Sequence, residues 1–166
     1  MIDEKTLAAI KEFQQDEIND HVIYTNIANS LKDENDARTI RKLAGDELRH
    51  TEFWQKYTGK VAKPQKIVTS FFGFLSKVLG YTFVIKLLEN REEATINAYK
   101  SLEGTIPGID WLIRDEEEHE ASLIAMLDEP HLKYAGSIVL GLNDALVELS
   151  GTLAGLTLAF QNTRMI

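Results

Sequence analysis

Two short acidic segments of the chain carry residues that could bind a metal ion. The segment "DELRHTE" contains Glu47 and His50, and the segment "DEEEHEA" contains Glu116 and His119. Residues three apart lie on one face of a helix, so each carboxylate and imidazole could reach the same ion. A single Glu-x-x-His is weak evidence, because both residue types are common in helices. Two copies in one chain favour a shared metal site.

Two further glutamates interrupt apolar helical patterns. Glu17 precedes Tyr24 by seven residues and Glu92 precedes Tyr99 by seven, so each tyrosine lies two turns from its glutamate. A buried carboxylate is costly unless it is neutralised or paired. Four glutamates in phase with core positions therefore require a common counter-charge. The order Glu…Tyr, Glu-x-x-His, Glu…Tyr, Glu-x-x-His predicts a duplicated helical hairpin.

Hydrophobic periodicity predicts an all-α chain. A basic, turn-rich connection joins the second helix to the third, and "GTIPG" forms a turn before the fourth. Within the third helix we expect breaks at Gly73 and Gly80. The predicted helices span about residues 3–31, 35–57, 67–103 and 109–128.

Composition limits the classes of function. The chain has 166 residues, of which 44% are hydrophobic and 27% charged, as expected for a globular protein. Its formal net charge of −8 argues against a nucleic-acid partner. It has no cysteine, which excludes disulfides, thiolate catalysis and iron–sulfur clusters, so any metal must be held by oxygen and imidazole nitrogen. The charged N-terminus lacks a signal peptide, and we expect a cytoplasmic location.

This pattern of glutamates and Glu-x-x-His motifs resembles the ferritin-like superfamily, particularly rubrerythrin and erythrin domains, over about residues 3–128. The resemblance implies a ferritin-like four-helix bundle with a long crossover. It also implies a site for two iron ions, with manganese as the other candidate metal. The implied metal ligands are Glu17, Glu47, His50, Glu92, Glu116 and His119.

The resemblance also assigns roles to these residues. Glu47 and Glu116 are expected to bridge the two metals, and the remaining ligands to complete the coordination of each. Tyr24 and Tyr99 are expected to orient the carboxylates through hydrogen bonds.

This chain departs from the rubrerythrin pattern in two respects. Rubrerythrins often carry an additional glutamate one turn from the third-helix ligand, but Thr95 stands three residues after Glu92. Glu89, one turn before Glu92, is a further candidate ligand. Without cysteine, the chain has no rubredoxin-like module for electron transfer.

A long apolar segment follows the predicted bundle. Residues 134–160 include only two ionisable acids, Asp144 and Glu148, and are numerous enough to span a bilayer. The stretch "GLNDALVELSGTLAGL" resembles the first transmembrane helix of the vacuolar iron transporter family. That resemblance implies that Asp144 lies on a path for cations.

The predicted organisation is therefore a ferritin-like di-iron domain at 1–130 and an additional C-terminal apolar helix at 131–166. The second part is expected to be the first transmembrane helix of a truncated transporter, or else a soluble helix buried in an oligomer. The apolar stretch 69–83 is either a crossover packed on the core or an amphipathic piece touching a membrane or a second subunit. These apolar segments favour a homodimer.

The leading hypothesis is a di-iron carboxylate protein that binds and oxidises Fe(II), with O2 or hydrogen peroxide as oxidant. It would act in iron handling and feed or regulate an iron transporter. Its location would be the cytoplasmic face of a membrane if the native chain continues past residue 166. The alternatives are a rubrerythrin-like peroxide reductase and a non-enzymatic domain for iron or manganese sensing or delivery.

Overall fold

The computed structural model describes residues 2–127, 147–148 and 152. These residues form α-helices joined by turns and loops, with no strand among them. The prediction of an all-helical chain is confirmed for the part of the chain described here. The five complete helices are α1 (Glu4–Ser30), α2 (Glu34–Thr58), α3 (Lys66–Leu79), α4 (Tyr81–Lys100) and α5 (Ile109–Leu127).

Contacts divide the chain into two compact units, Met1–Leu127 and Asp128–Ile166. The first unit contains α1 to α5. Most of the predicted C-terminal helix, including Asp144, lies outside the described residues. The proposed division at residue 130 stays a prediction. Among the helices with described placement, none is both long and apolar enough to span a bilayer.

Local signals explain where the first two helices begin and end. The Asp3 carboxylate caps α1 by accepting a hydrogen bond from the backbone N–H of Thr6 at 2.7 Å. Asp33 caps α2 in the same way. Because only residues 31–33 separate α1 from α2, the two helices form an antiparallel hairpin. α2 ends at Thr58 and is capped by Gly59, whose φ of 65° favours glycine.

The core consists of two apolar clusters with polar residues between them along each long helix. In α1, Ile10 belongs to one cluster and Ile23 to the other, with Glu17 between them. In α5, Leu112 packs in the same cluster as Ile10, and Leu123 packs in the same cluster as Ile23. α2 and α4 also contribute to both clusters. The four long helices therefore surround a buried polar layer closed by apolar residues at either end.

The predicted third helix is in fact two helices. Gly80, with a φ of 87°, separates α3 from α4 as expected. The expected break at Gly73 is wrong, because α3 continues through it. A glycine within a helix costs only about 1 kcal/mol relative to alanine and can keep helical dihedrals. α3 contains no buried residue, and a cavity of about 590 Å³ lies between it and α1.

Candidate metal centre

Four predicted ligands from α2 and α5 converge in the polar layer. Glu47, His50, Glu116 and His119 each offer one ligand atom, and these atoms lie within 4.8 Å of one another. None of the four residues is more than 2% exposed. We call them the central quartet. Two carboxylates and two imidazoles at this separation could hold a metal ion.

The ring nitrogens Nδ1 face the carboxylates of the opposite helix. Nδ1 of His50 is 2.9 Å from Oε1 of Glu116, and Nδ1 of His119 is 3.2 Å from Oε1 of Glu47. Each histidine also lies near the glutamate of its own motif, at 3.5 Å for His50 and 3.4 Å for His119. Both Glu-x-x-His motifs thus direct their polar atoms to one shared space.

Several atoms of the central quartet are close together without forming hydrogen bonds of good geometry. Buried polar atoms without a partner are rare and cost free energy, so a concentration of them calls for a ligand. All of them are carboxylate oxygens or imidazole nitrogens, which bind iron, manganese or zinc. The donor set therefore fits a metal cation. The atoms are Oε1 of Glu47, Nδ1 of His50, Oε1 and Oε2 of Glu116, and Nδ1 of His119.

Each histidine has one aspartate next to its second ring nitrogen, Nε2. Nε2 of His50 lies 3.4 Å from Oδ2 of Asp115, and Nε2 of His119 lies 3.3 Å from Oδ2 of Asp46. When each Nε2–H donates to its aspartate, Nδ1 faces the glutamates, and its lone pair becomes available to a metal once Nδ1 loses its proton. A carboxylate behind the imidazole is the usual companion of a metal-binding histidine.

Sequence reasoning missed both aspartates, although a signal was present. Each aspartate directly precedes the glutamate of its motif, so the repeat is Asp-Glu-x-x-His. Arg49 was missed as well. Its guanidinium donates to Asp46 at 2.6 Å and to Asp115 at 2.9 Å, which links the two aspartates.

The other two predicted ligands lie beside the central quartet. Glu17 is 4% exposed, and its Oε2 lies 3.5 Å from Nδ1 of His50. Glu92 is 6% exposed. The hydroxyl of Tyr99 donates to Glu17, and that of Tyr24 donates to Glu92 at 2.9 Å. Each tyrosine therefore contacts the glutamate of the other hairpin and not the one in its own helix.

The carboxyl groups differ in their affinity for protons. Burial raises the pKa of Glu17 well above its usual value, and the charges of Glu47 and Glu116 raise it further. Burial and the same two charges also raise the pKa of Glu92. Burial would raise the pKa of Glu47 too, but its polar contacts with Glu17 and with both histidines lower it. Against the effect of burial, contacts with the histidines also lower the pKa of Glu116, so the ionised carboxylates are those of Glu47 and Glu116.

Both histidines hold protons strongly in this environment. Burial by itself would lower the pKa of His119, but contacts with nearby carboxylates, first that of Asp46, raise it to about 12. The pKa of His50 is also raised, because the charge of Glu17 and further carboxylate contacts outweigh burial. Imidazolium therefore neutralises part of the carboxylate charge, and a bound metal cation would displace these protons.

No protein-family model, curated protein or solved structure matches this chain. The ferritin-like resemblance of residues 3–128 and the transporter resemblance of residues 141–156 therefore stay predictions. The described structure provides a helical bundle with a buried glutamate and histidine cluster that could hold a metal ion.

The cluster of possible ligands among the described residues does not include Glu89. Glu89 is 8% exposed and forms an ion pair with Lys86, so its side chain has a cationic partner of its own. His21, a further histidine of α1, is a hydrogen-bonded helix residue whose Nδ1 lies 2.6 Å from the carbonyl oxygen of Ala44. Asp144, the predicted transport residue, lies outside the described residues.

Proposed function

We propose that the chain is a di-iron carboxylate protein with a ferritin-like four-helix fold, which binds Fe(II) and oxidises it. The observation that carries this proposal is the set of buried, unpartnered ligand atoms in the central quartet. Charge balance supports two metal ions. Glu17 lies 3.5 Å from Nδ1 of His50, and Glu92 is in polar contact with Glu116. They bring the glutamates to four, and four carboxylates neutralise two divalent cations.

Some residues would bind the metal ions, and others would orient these ligands. The four glutamates would hold the ions through carboxylate oxygen. Each histidine would bind through Nδ1, because Nε2 is turned to an aspartate. Tyr24 and Tyr99 keep their glutamates in place through hydrogen bonds.

The substrate is Fe(II), and the reaction is a balanced two-electron step. Two Fe(II) ions lose one electron each, and O2 gains these two electrons and two protons to give hydrogen peroxide. Hard oxygen ligands favour the Fe(III) product. Burial of the site limits access of bulk water to the carboxylates and strengthens their interaction with the cations.

We extend the proposal to the protein's place in iron handling. The resemblance of residues 141–156 to a transporter helix supports a role in feeding or regulating an iron transporter at the cytoplasmic face of a membrane. The exposed apolar side chains of α3 are compatible with either a homodimer or a membrane contact.

Anaerobic titration with Fe(II) tests the site. We expect two Fe(II) per chain for the wild-type protein and no tight binding for Glu47→Ala combined with Glu116→Ala. The matched control is Glu52→Ala combined with Glu117→Ala, which removes exposed glutamates from the same two helices and should leave binding unchanged. Undiminished stoichiometry in the first double variant would overturn the proposed site.

Rapid mixing then tests the reaction. Fe(II)-loaded protein is mixed with O2 or with hydrogen peroxide, and formation of Fe(III) is followed by absorbance. Faster oxidation by O2 supports the proposed ferroxidase. Faster oxidation by peroxide would replace it with a peroxide reductase that needs a separate electron donor. Reversible binding without oxidation would replace it with metal sensing or delivery.

A further inference from the structure

α3 presents a continuous apolar stripe to solvent. Ile67, Phe71, Phe74 and Val78 follow one another at intervals of four, three and four residues, which places them on a single face of the helix. Their exposed fractions are 87%, 54%, 61% and 60% in that order. We call these residues the α3 stripe. Four large apolar side chains in one row, all mostly exposed, are unusual on a protein surface.

Other side chains of α3, next to the stripe, attach the helix to the bundle. Phe72 and Leu75 are partly buried and pack against the apolar cluster that includes Ile27. The cavity of about 590 Å³ between α1 and α3 shows that this attachment is not closely packed. Phe74 also lines this cavity, but no residue of the α3 stripe belongs to either apolar cluster, and all four are more than half exposed.

The chain around the α3 stripe is positively charged, in contrast to the protein as a whole. Residues 53–88 contain six lysines and no aspartate or glutamate, although the full chain has a net charge of −8. Four of these lysines are exposed and form neither an ion pair nor a ring contact with any described residue. They are Lys60, Lys63, Lys66 and Lys77.

We propose that α3 is an interfacial helix that docks the bundle on an anionic lipid surface. An amphipathic helix with aromatic and aliphatic residues on one face and lysines beside it binds such surfaces by apolar burial and charge attraction together. Negatively charged headgroups would supply the partners that the unpaired lysines lack. The inference does not depend on the metal site.

Charge also favours an anionic lipid surface over a second copy of the chain as the partner of the α3 stripe. A symmetric dimer through the α3 stripe would place the same surface of both subunits face to face. Lys66 and Lys77 of one subunit would then approach the same lysines of its partner, with no carboxylate from residues 53–88 to neutralise them. Like charges at close range destabilise such a contact.

Site-specific fluorescence tests the proposal, since the chain has no native cysteine. The full chain is labelled with an environment-sensitive fluorophore at Phe74→Cys on the α3 stripe. The matched control carries the label at Leu48→Cys, where an apolar residue is 39% exposed on α2. Each protein is mixed with vesicles of phosphatidylglycerol and phosphatidylcholine, or of phosphatidylcholine alone, some carrying a lipid-bound quencher.

We expect the label at position 74 to shift to the blue and to be quenched by the anionic vesicles, and the label at position 48 to remain in water. Lys66→Glu combined with Lys77→Glu should weaken the response at position 74 by at least about tenfold. Lys11→Glu combined with Lys32→Glu changes two exposed lysines of α1 and its following turn, and should leave the response unchanged.

Two results would overturn the proposal. One is a label at position 74 whose fluorescence does not change when vesicles are added, or changes equally with both vesicle types and in both double-lysine variants. The other is a label at position 74 that shifts to the blue without vesicles as the protein concentration rises. That result would show that a second copy of the chain covers the α3 stripe. Vesicle binding through residues 134–160 alone would leave position 74 in water and also count against it.

Discussion

The hairpin of α1 and α2 and the hairpin of α4 and α5 carry the same set of polar residues in different surroundings. Each supplies one glutamate, one tyrosine and one Asp-Glu-x-x-His motif. In the first motif the residue before histidine is Arg49, which links both aspartates, whereas the second motif has Glu118 there. Seven residues after the motif glutamate the first hairpin has Trp54 and the second has Leu123.

The shared residues are those with polar atoms directed into the buried layer, and the differing residues lie around them. Trp54 donates from Nε1 to the hydroxyl of Tyr99 at 3.2 Å. Leu123 cannot donate a hydrogen bond to Tyr24. The two hairpins should therefore be equivalent in metal binding and unequal in their contribution to stability.

The largest expected effect tests the equivalence of the hairpins. Glu47→Ala and Glu116→Ala should each weaken Fe(II) binding by at least about 100-fold, because each removes a ligand from the centre of the site. Equilibrium titration under anaerobic conditions measures both constants. Two losses of similar size are expected, and a large loss from only one variant would show that a single hairpin binds the metal.

The aspartates behind the histidines provide a finer test of the same equivalence. Asp46→Ala and Asp115→Ala should each lower metal affinity by about 10- to 100-fold, because the imidazole loses the group that fixes its orientation. Competition with a chelator of known affinity measures the change. Glu117→Ala, an exposed change on α5, is the control. Wild-type affinity in both aspartate variants would rule out their positioning role.

Metal binding should also strengthen as the pH rises. The raised pKa of His119, about 12, means that this imidazole is protonated near neutral pH and must lose its proton to bind through Nδ1. For each proton released, the binding constant should increase about tenfold per pH unit. Calorimetry in buffers of different ionisation enthalpy counts the protons. His50→Asn and His119→Asn should reduce the count equally, and a count of zero for the wild type would contradict the protonated state.

The tyrosines should reveal the inequality of the hairpins. Tyr24→Phe removes the tyrosine donor from the Glu92 carboxyl, whereas Tyr99→Phe removes both the tyrosine donor from Glu17 and the acceptor of the buried N–H of Trp54. Urea unfolding should show a cost about 1 kcal/mol greater for Tyr99→Phe. Equal losses in the free energy of unfolding would mean that the hydrogen bond from Trp54 to Tyr99 does not contribute to stability.

The smallest expected effect concerns Arg49. Its side chain is 56% exposed, so its ion pairs with Asp46 and Asp115 are screened by solvent. Arg49→Met should lower the free energy of unfolding by less than about 1 kcal/mol. Glu118→Met, at the equivalent position of the second motif, should have no measurable effect. A large loss from Arg49→Met would identify it as a structural link between the hairpins.

The comparison also shows what could be predicted from the sequence. The convergence of Glu47 and His50 with Glu116 and His119 could be predicted, because helical spacing places each pair in phase with core residues. The helices could be predicted for the same reason, apart from the continuation of α3 through Gly73. Glycine within a helix and glycine at its end look alike without the backbone dihedrals.

The partners of the ligands could not be predicted so easily. Spacing places Tyr24 on the face of Glu17, yet its hydroxyl contacts Glu92, because only the packing of the two hairpins decides which carboxylate is nearer. Asp46 and Asp115 were overlooked because acidic residues flanking a motif usually face solvent. Their position one residue before each glutamate was the available signal.

Anomalous diffraction at the iron absorption edge, from crystals grown with Fe(II) under anaerobic conditions, would locate any iron bound in the buried layer. We predict two peaks within bonding distance of the central quartet, one nearer Nδ1 of His50 and one nearer Nδ1 of His119. No peak at the quartet, or peaks only at exposed carboxylates, would contradict the assignment of a buried di-iron site.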